Sequence, residues 1–190
     1  MPTMVRYLGD RHYGQWVLVG SALGWFGLLD LGFAKSIVRY VSRALGRMDK
    51  QEADDWISIG FMFFLAASVC GFLIVLVASQ LAWRFVDTDA DLVGWAILIS
   101  GMGLVLTLPS HCGQGVLQAH VRSDVLDAIL GLVGMIRVGA ILLAVSLEAS
   151  FLVLMIVLAA LLIAQGIMIS VAAVLVHGKI HVSWDALRRR

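Results

Sequence analysis

The chain alternates between long apolar runs and short polar connections. The runs lie at roughly 16–41, 57–85, 92–118, 125–147 and 151–176. Each reaches the ~20 residues that one helix needs to cross a hydrocarbon layer, and the first two exceed it, which predicts tilt or extension beyond the bilayer. The connections run Ser42 to Trp56, Val86 to Asp91, Ala119 to Asp124 and Leu147 to Ser150. Backbone in lipid is satisfied only by helices or closed barrels, and these runs are too long and continuous for barrel strands. The pattern predicts an all-α, polytopic membrane helix bundle of about five transmembrane helices, forming one domain over 1–190.

Ionisable and polar residues interrupt the runs. Asp30, Lys35 and Arg39 fall in the first. A charge near the bilayer centre costs about 2.5–3.5 kcal/mol on insertion scales, so such groups usually face a water-filled cavity or a partner. Lys35 and Arg39, four residues apart, share one helix face. Asp30 lies ~140° away on an ideal helix, and Gly27 and Gly32 permit a break that brings it round. Two readings stand for the cations: they line a cavity, or they snorkel to the interface near Tyr40. In the third run Thr107, His111, Gln114 and Gln118 follow i, i+4, i+7, i+11 and predict a polar stripe. Pro109 inside that stripe predicts a kink. A cavity wall and interhelical hydrogen bonding both account for it. Arg137 falls near the middle of the fourth run, far from either end, and carries a charge it cannot lose. Gln165 in the fifth reads as glue between helices.

Composition narrows the function classes. The chain is 61% hydrophobic and 14% charged, against roughly 25% charged in an ordinary globular protein. A net charge of +1 gives no footprint for nucleic acid. Cys70 and Cys112 both fall in apolar runs, without a C-x-x-C pair, and read as buried hydrophobes. No phosphate loop, zinc-protease motif, nucleophile elbow or intramembrane carboxylate pair is present, so neither an enzyme nor a cofactor is expected. Asp54, Asp55 and the Asp87, Asp89, Asp91 series fall in connections and read as solvated ends.

Loop charge predicts orientation. Arg43, Arg47 and Lys50 follow the first run, Arg122 the third, and Lys179 and Arg188 to Arg190 the fifth. The loops after runs two and four carry no Lys or Arg. The N-terminus is then expected outside and the C-terminus in the cytoplasm of a plasma (inner) membrane, with Arg84 a minor exception. Tryptophans at 16, 56, 83 and 95 suit an interfacial belt. Arg6 and Arg11 would lie outside with no span before them, and the tail stops in a basic segment. Both features suggest a piece of a larger transporter.

Two segments carry a family resemblance: Leu8-Gly-Asp-Arg-His-Tyr-Gly14, and Gly27-Leu-Leu-Asp-Leu-Gly-Phe-Ala-Lys-Ser-Ile-Val-Arg-Tyr-Val41 with the basic Arg43-Ala-Leu-Gly-Arg47 after it. Together they resemble the early part of polysaccharide-export flippases, the O-antigen flippase-like branch of the multidrug/oligosaccharidyl-lipid/polysaccharide superfamily. The resemblance covers residues 6–60; beyond them only span number and loop charge agree. It implies two lobes of six or seven helices working by alternating access. This chain would supply helices two to six of the first lobe, its second lobe or polysaccharide-assembly partners lying elsewhere. The implied cargo is an isoprenoid-diphosphate-linked oligosaccharide moved from the inner to the outer leaflet. Cations at Lys35, Arg39 and Arg137 would suit the diphosphate. A multidrug/cation antiporter of the same superfamily and a non-transporting subunit of a polysaccharide assembly complex are the alternatives.

Overall fold

A computed structural model describes residues 33–85, 90–147 and 149–178. Asp30 and the rest of the first run before Phe33 lie outside them. Six helices occupy these residues: α1 (Phe33–Gly46), α2 (Lys50–Phe85), α3 (Ala90–Thr107), α4 (Ser110–Ala119), α5 (Ser123–Ser146) and α6 (Phe151–His177). Four stretches are long and apolar enough to cross a membrane: Lys50–Leu81, Gly94–Ala119, Ser123–Ala144 and Leu152–His177. The chain is therefore an all-α membrane helix bundle. α3 and α4 together form one broken span at its centre, with α2 and α6 packed along it. α1 lies against α2 and α4, and α5 rests mainly on α6.

The predicted connection from Ser42 to Trp56 is a correction. α1 runs on to Gly46 and α2 starts at Lys50, leaving a tight turn. Asp49 starts α2, its Oδ1 accepting the Glu52 N–H at 2.9 Å, the first half of a capping box. At the end of α1 the Asp49 N–H reaches back to Ala44 O at 3.1 Å, a Schellman closure with Met48 at φ 58°. The α4–α5 turn repeats it, with Arg122 N–H on Leu117 O at 2.9 Å and Val121 at φ 58°. Both turns lie at the end of the bundle that carries Arg43, Arg47, Lys50 and Arg122, here called the basic end.

Pro109 has no N–H, so Val105 O loses its ordinary helical donor. The chain tightens instead: Leu108 N–H reaches Val105 O at 3.2 Å, and His111 N–H reaches Leu108 O at 3.0 Å. Ser68 of α2 sits 2.8 Å from Phe64 O and 3.1 Å from Val105 O, so its one hydroxyl proton serves either acceptor. The expected kink is thus a two-residue break between helices, with its carbonyl answered from a neighbour.

Apolar side chains gain little by leaving lipid for one another, so close packing must hold such helices together. Ile37 wedges between two glycines. A Cβ on Gly60 would fall 2.5 Å from its Cδ1, and one on Gly115 would fall 3.0 Å from its Cγ2. At Gly103 a Cβ would meet Ala159 Cβ at 2.9 Å and its Cα at 3.0 Å, so α3 and α6 touch nearly backbone to backbone. Tyr40 stacks on Trp56 with centroids 4.1 Å apart, fastening α1 to α2.

Two outcomes follow for stability in detergent. Gly103→Leu, whose obstacle is partly backbone, lowers the unfolding free energy by about 1–3 kcal/mol. Val121→Gly raises it by about 1 kcal/mol, because a branched residue leaves a left-handed conformation and Val121 is 85% exposed, with no packing to lose. Chemical or thermal unfolding followed by circular dichroism measures both.

Candidate functional site

The polar residues expected inside the spans separate into three places. α1 buries Ile37, Val41 and Ala44 against α2 and α4, a spacing of four and three. Lys35 and Arg39 lie on its opposite, exposed face. Asp30 lies outside the described residues.

The stripe of the third run is divided by the Pro109 break. Thr107 ends α3 buried, its hydroxyl donating to Leu104 O at 2.7 Å within its own helix. His111 stacks on the fully buried Phe64 with centroids 5.6 Å apart, and its Nδ1 lies 3.1 Å from Leu108 O. Gln114 is half-buried and Gln118 exposed. His111, Gln114 and Gln118 therefore occupy the least buried face of α4, while its other residues are buried.

Arg137 differs from the other cations. α5 buries Leu126, Ile129 and Val133 toward its neighbours, and Arg137 continues that stripe one turn on. Arg137 as a whole is half-buried, and its Nε is enclosed without a hydrogen-bond partner. A guanidinium carries five N–H donors and cannot shed its charge. This donor is left aimed at nothing in the middle of a spanning helix.

Three further residues come together that the sequence did not single out. His177, the last residue of α6, holds its Nε2 2.8 Å from Asp54 Oδ1 and its Nδ1 2.9 Å from His120 Nε2. The His177 side chain is 5% exposed and that of Asp54 16%. Asp54, expected to be a solvated end, is instead inside the first turns of α2 and bonded to a buried histidine. His120 closes α4, and burial, followed by the nearby His177, holds its pKa below the ordinary value of 6.5. The only sequence signal was the placement of an acid and two histidines at three span ends that loop charge puts on one side.

Directly beyond this chain lies an apolar groove of about 290 Å³ between α2, α4 and α6. Ile57, Val116 and Val174, one turn from Asp54, His120 and His177 respectively, line its near end, and Cys112 lines its wall. Cys112 is buried as expected, whereas Cys70 is exposed on α2. Among the described residues no group of three or more His, Cys, Asp or Glu is arranged to hold a metal ion.

No family model, curated protein or solved structure matches the chain. The geometry alone therefore ranks the sites, and Arg137 stands first, because an enclosed unsatisfied donor costs about 1–3 kcal/mol. Arg137→Met keeps the stem volume and removes that cost. The ligand-free variant is expected to unfold with about 1–3 kcal/mol more difficulty in detergent, measured by thermal or denaturant titration.

Proposed function

We propose that the chain is a membrane transporter, or part of one, that flips an isoprenoid-diphosphate-linked oligosaccharide from the inner to the outer leaflet. The observation that carries this reading is the enclosed, unpartnered Nε of Arg137 within a spanning helix. A charge kept there at a cost of about 2.5–3.5 kcal/mol is best explained by a ligand of opposite charge. A diphosphate supplies several acceptor oxygens for a guanidinium fork. Lys35 and Arg39 add exposed cations on α1, inside the segment that resembles polysaccharide-export flippases. That resemblance, not the geometry, selects a lipid-linked saccharide among anionic lipids. The positive-inside rule puts the basic end in the cytoplasm of the inner membrane.

A specific feature favours the non-transporting subunit as a second reading. α5 leaves Leu132, Met135, Leu142 and Leu143 exposed. Gly131 and Gly139 on the same helix meet nothing within 4 Å. Such a face suits a further helix as well as lipid.

Binding and translocation of a fluorescent isoprenoid-diphosphate saccharide in proteoliposomes decide between them. Arg137→Gln is expected to weaken binding roughly 10- to 100-fold, the worth of a charge-assisted hydrogen bond, with Arg137→Lys intermediate. Wild-type affinity in the Gln variant, or binding of lipophilic cations but not diphosphate lipids, overturns the flippase reading.

A further inference from the structure

Asp54, His177 and His120 come from the start of α2, the end of α6 and the end of α4, and their side chains join those three ends in one hydrogen-bonded line. We propose that this line is a proton-binding site that fastens the basic end of the bundle, accepting one proton with both hydrogen bonds kept and parting when a second arrives. The site uses none of the residues assigned to the saccharide and stands or falls apart from that reading.

The proton count follows from the atoms. In the basic form the Asp54 carboxylate accepts from His177 Nε2–H. The lone pair on His177 Nδ1 accepts from His120 Nε2–H, and the line carries one negative charge. An added proton enters at His120 Nδ1. The proton on His120 Nε2 passes to His177 Nδ1, and the freed Nε2 lone pair becomes the acceptor. His177 is now an imidazolium donating to Asp54 and to His120 at once, so the line is neutral and unbroken. On the two rings a second proton has only His120 Nε2 to occupy, since the other three ring nitrogens already carry hydrogen. Two N–H groups then face each other across 2.9 Å on two cations, and the link between α4 and α6 is lost.

Burial makes this count matter. His177 is the most enclosed member, while His120 is half-buried and gives onto solvent. The depressed affinity of His120 for a proton has the direction the second step requires, with burial the larger cause and His177 the other. The folded chain thus binds fewer protons at His120 than the unfolded chain below about pH 6.5, and stability falls as pH falls through that region. Other charges stand on the elements packed around the line. Lys50, Glu52 and Asp55 belong to α2, Arg43 to the last turn of α1 and Arg47 to the turn after it. Arg122 follows α4 and sits 3.9 Å from Asp124 of α5, exposed; Asp127 is exposed one turn on. Asp49 is engaged with the Glu52 N–H, and His111 on α4 is stacked on Phe64.

Nuclear magnetic resonance of the full chain in lipid nanodiscs, with isotope-labelled histidine, tests the count without any substitution. Expected are a nitrogen–nitrogen coupling across one imidazole pair, a change of His120 from the Nε2–H to the Nδ1–H tautomer with the first proton, and loss of the coupling with the second. Independent titration of the two rings, or a coupling that survives full protonation, overturns the proposal. Thermal unfolding gives a second reading. The Gln side chain in His120→Gln can still donate to or accept from His177 but takes no proton, so the drop in midpoint temperature on acidification should shrink by half or more. A drop of wild-type size in that variant also overturns it.

Discussion

Hydrocarbon offers an amide, a carbonyl or a charge no alternative partner, and the architecture depends on answering each polar group from within. Where Pro109 withholds a donor from Val105 O, the chain tightens and Ser68 leans across from α2. Where α1 and α4 end, their carbonyls are closed by backward hydrogen bonds, even at the cost of left-handed Met48 and Val121. At the basic end an acid and two histidines satisfy one another. Against this accounting the open donor of Arg137 is conspicuous.

Packing obeys the companion constraint. With no hydrophobic gain between helices, α3 and α6 are held by the closeness that Gly103 and Ala159 allow, and α1 by Ile37 set between Gly60 and Gly115. α5 lacks such contacts on most of its surface and is the most lightly held of the long helices. The residue with the unanswered donor thus sits on the helix with the fewest ties.

Much of the fold was legible because apolar length is a strong signal. The α5 and α6 boundaries fall within two residues of the runs at 125–147 and 151–176, and Pro109 announced the break between α3 and α4. The start of α2 was not legible. Lys50, Glu52, Asp54 and Asp55 look like loop by hydropathy, yet they make a good capped first turn once Asp49 is recognised as its cap. The same misreading hid Asp54. A carboxylate in a polar stretch gives no sign that a histidine 123 positions later will cover it. Arg137 was visible because a fixed charge amid apolar residues stands out in any register. That its Nε lacks a partner could come only from three dimensions.

The interruption at Leu108–Pro109 has a mechanical consequence. A continuous helix transmits a push along its axis as a rod does, whereas α3 and α4 meet at a joint whose bonds already run over three residues instead of four. α4 is only ten residues long and touches α1, α2, α5 and α6. A small rotation about that joint would carry its far tip, and the neighbours fastened there, through an arc while α3 stayed seated on Ala159. The fold therefore holds a ten-residue helix jointed to α3 at mid-span and tied to four neighbours.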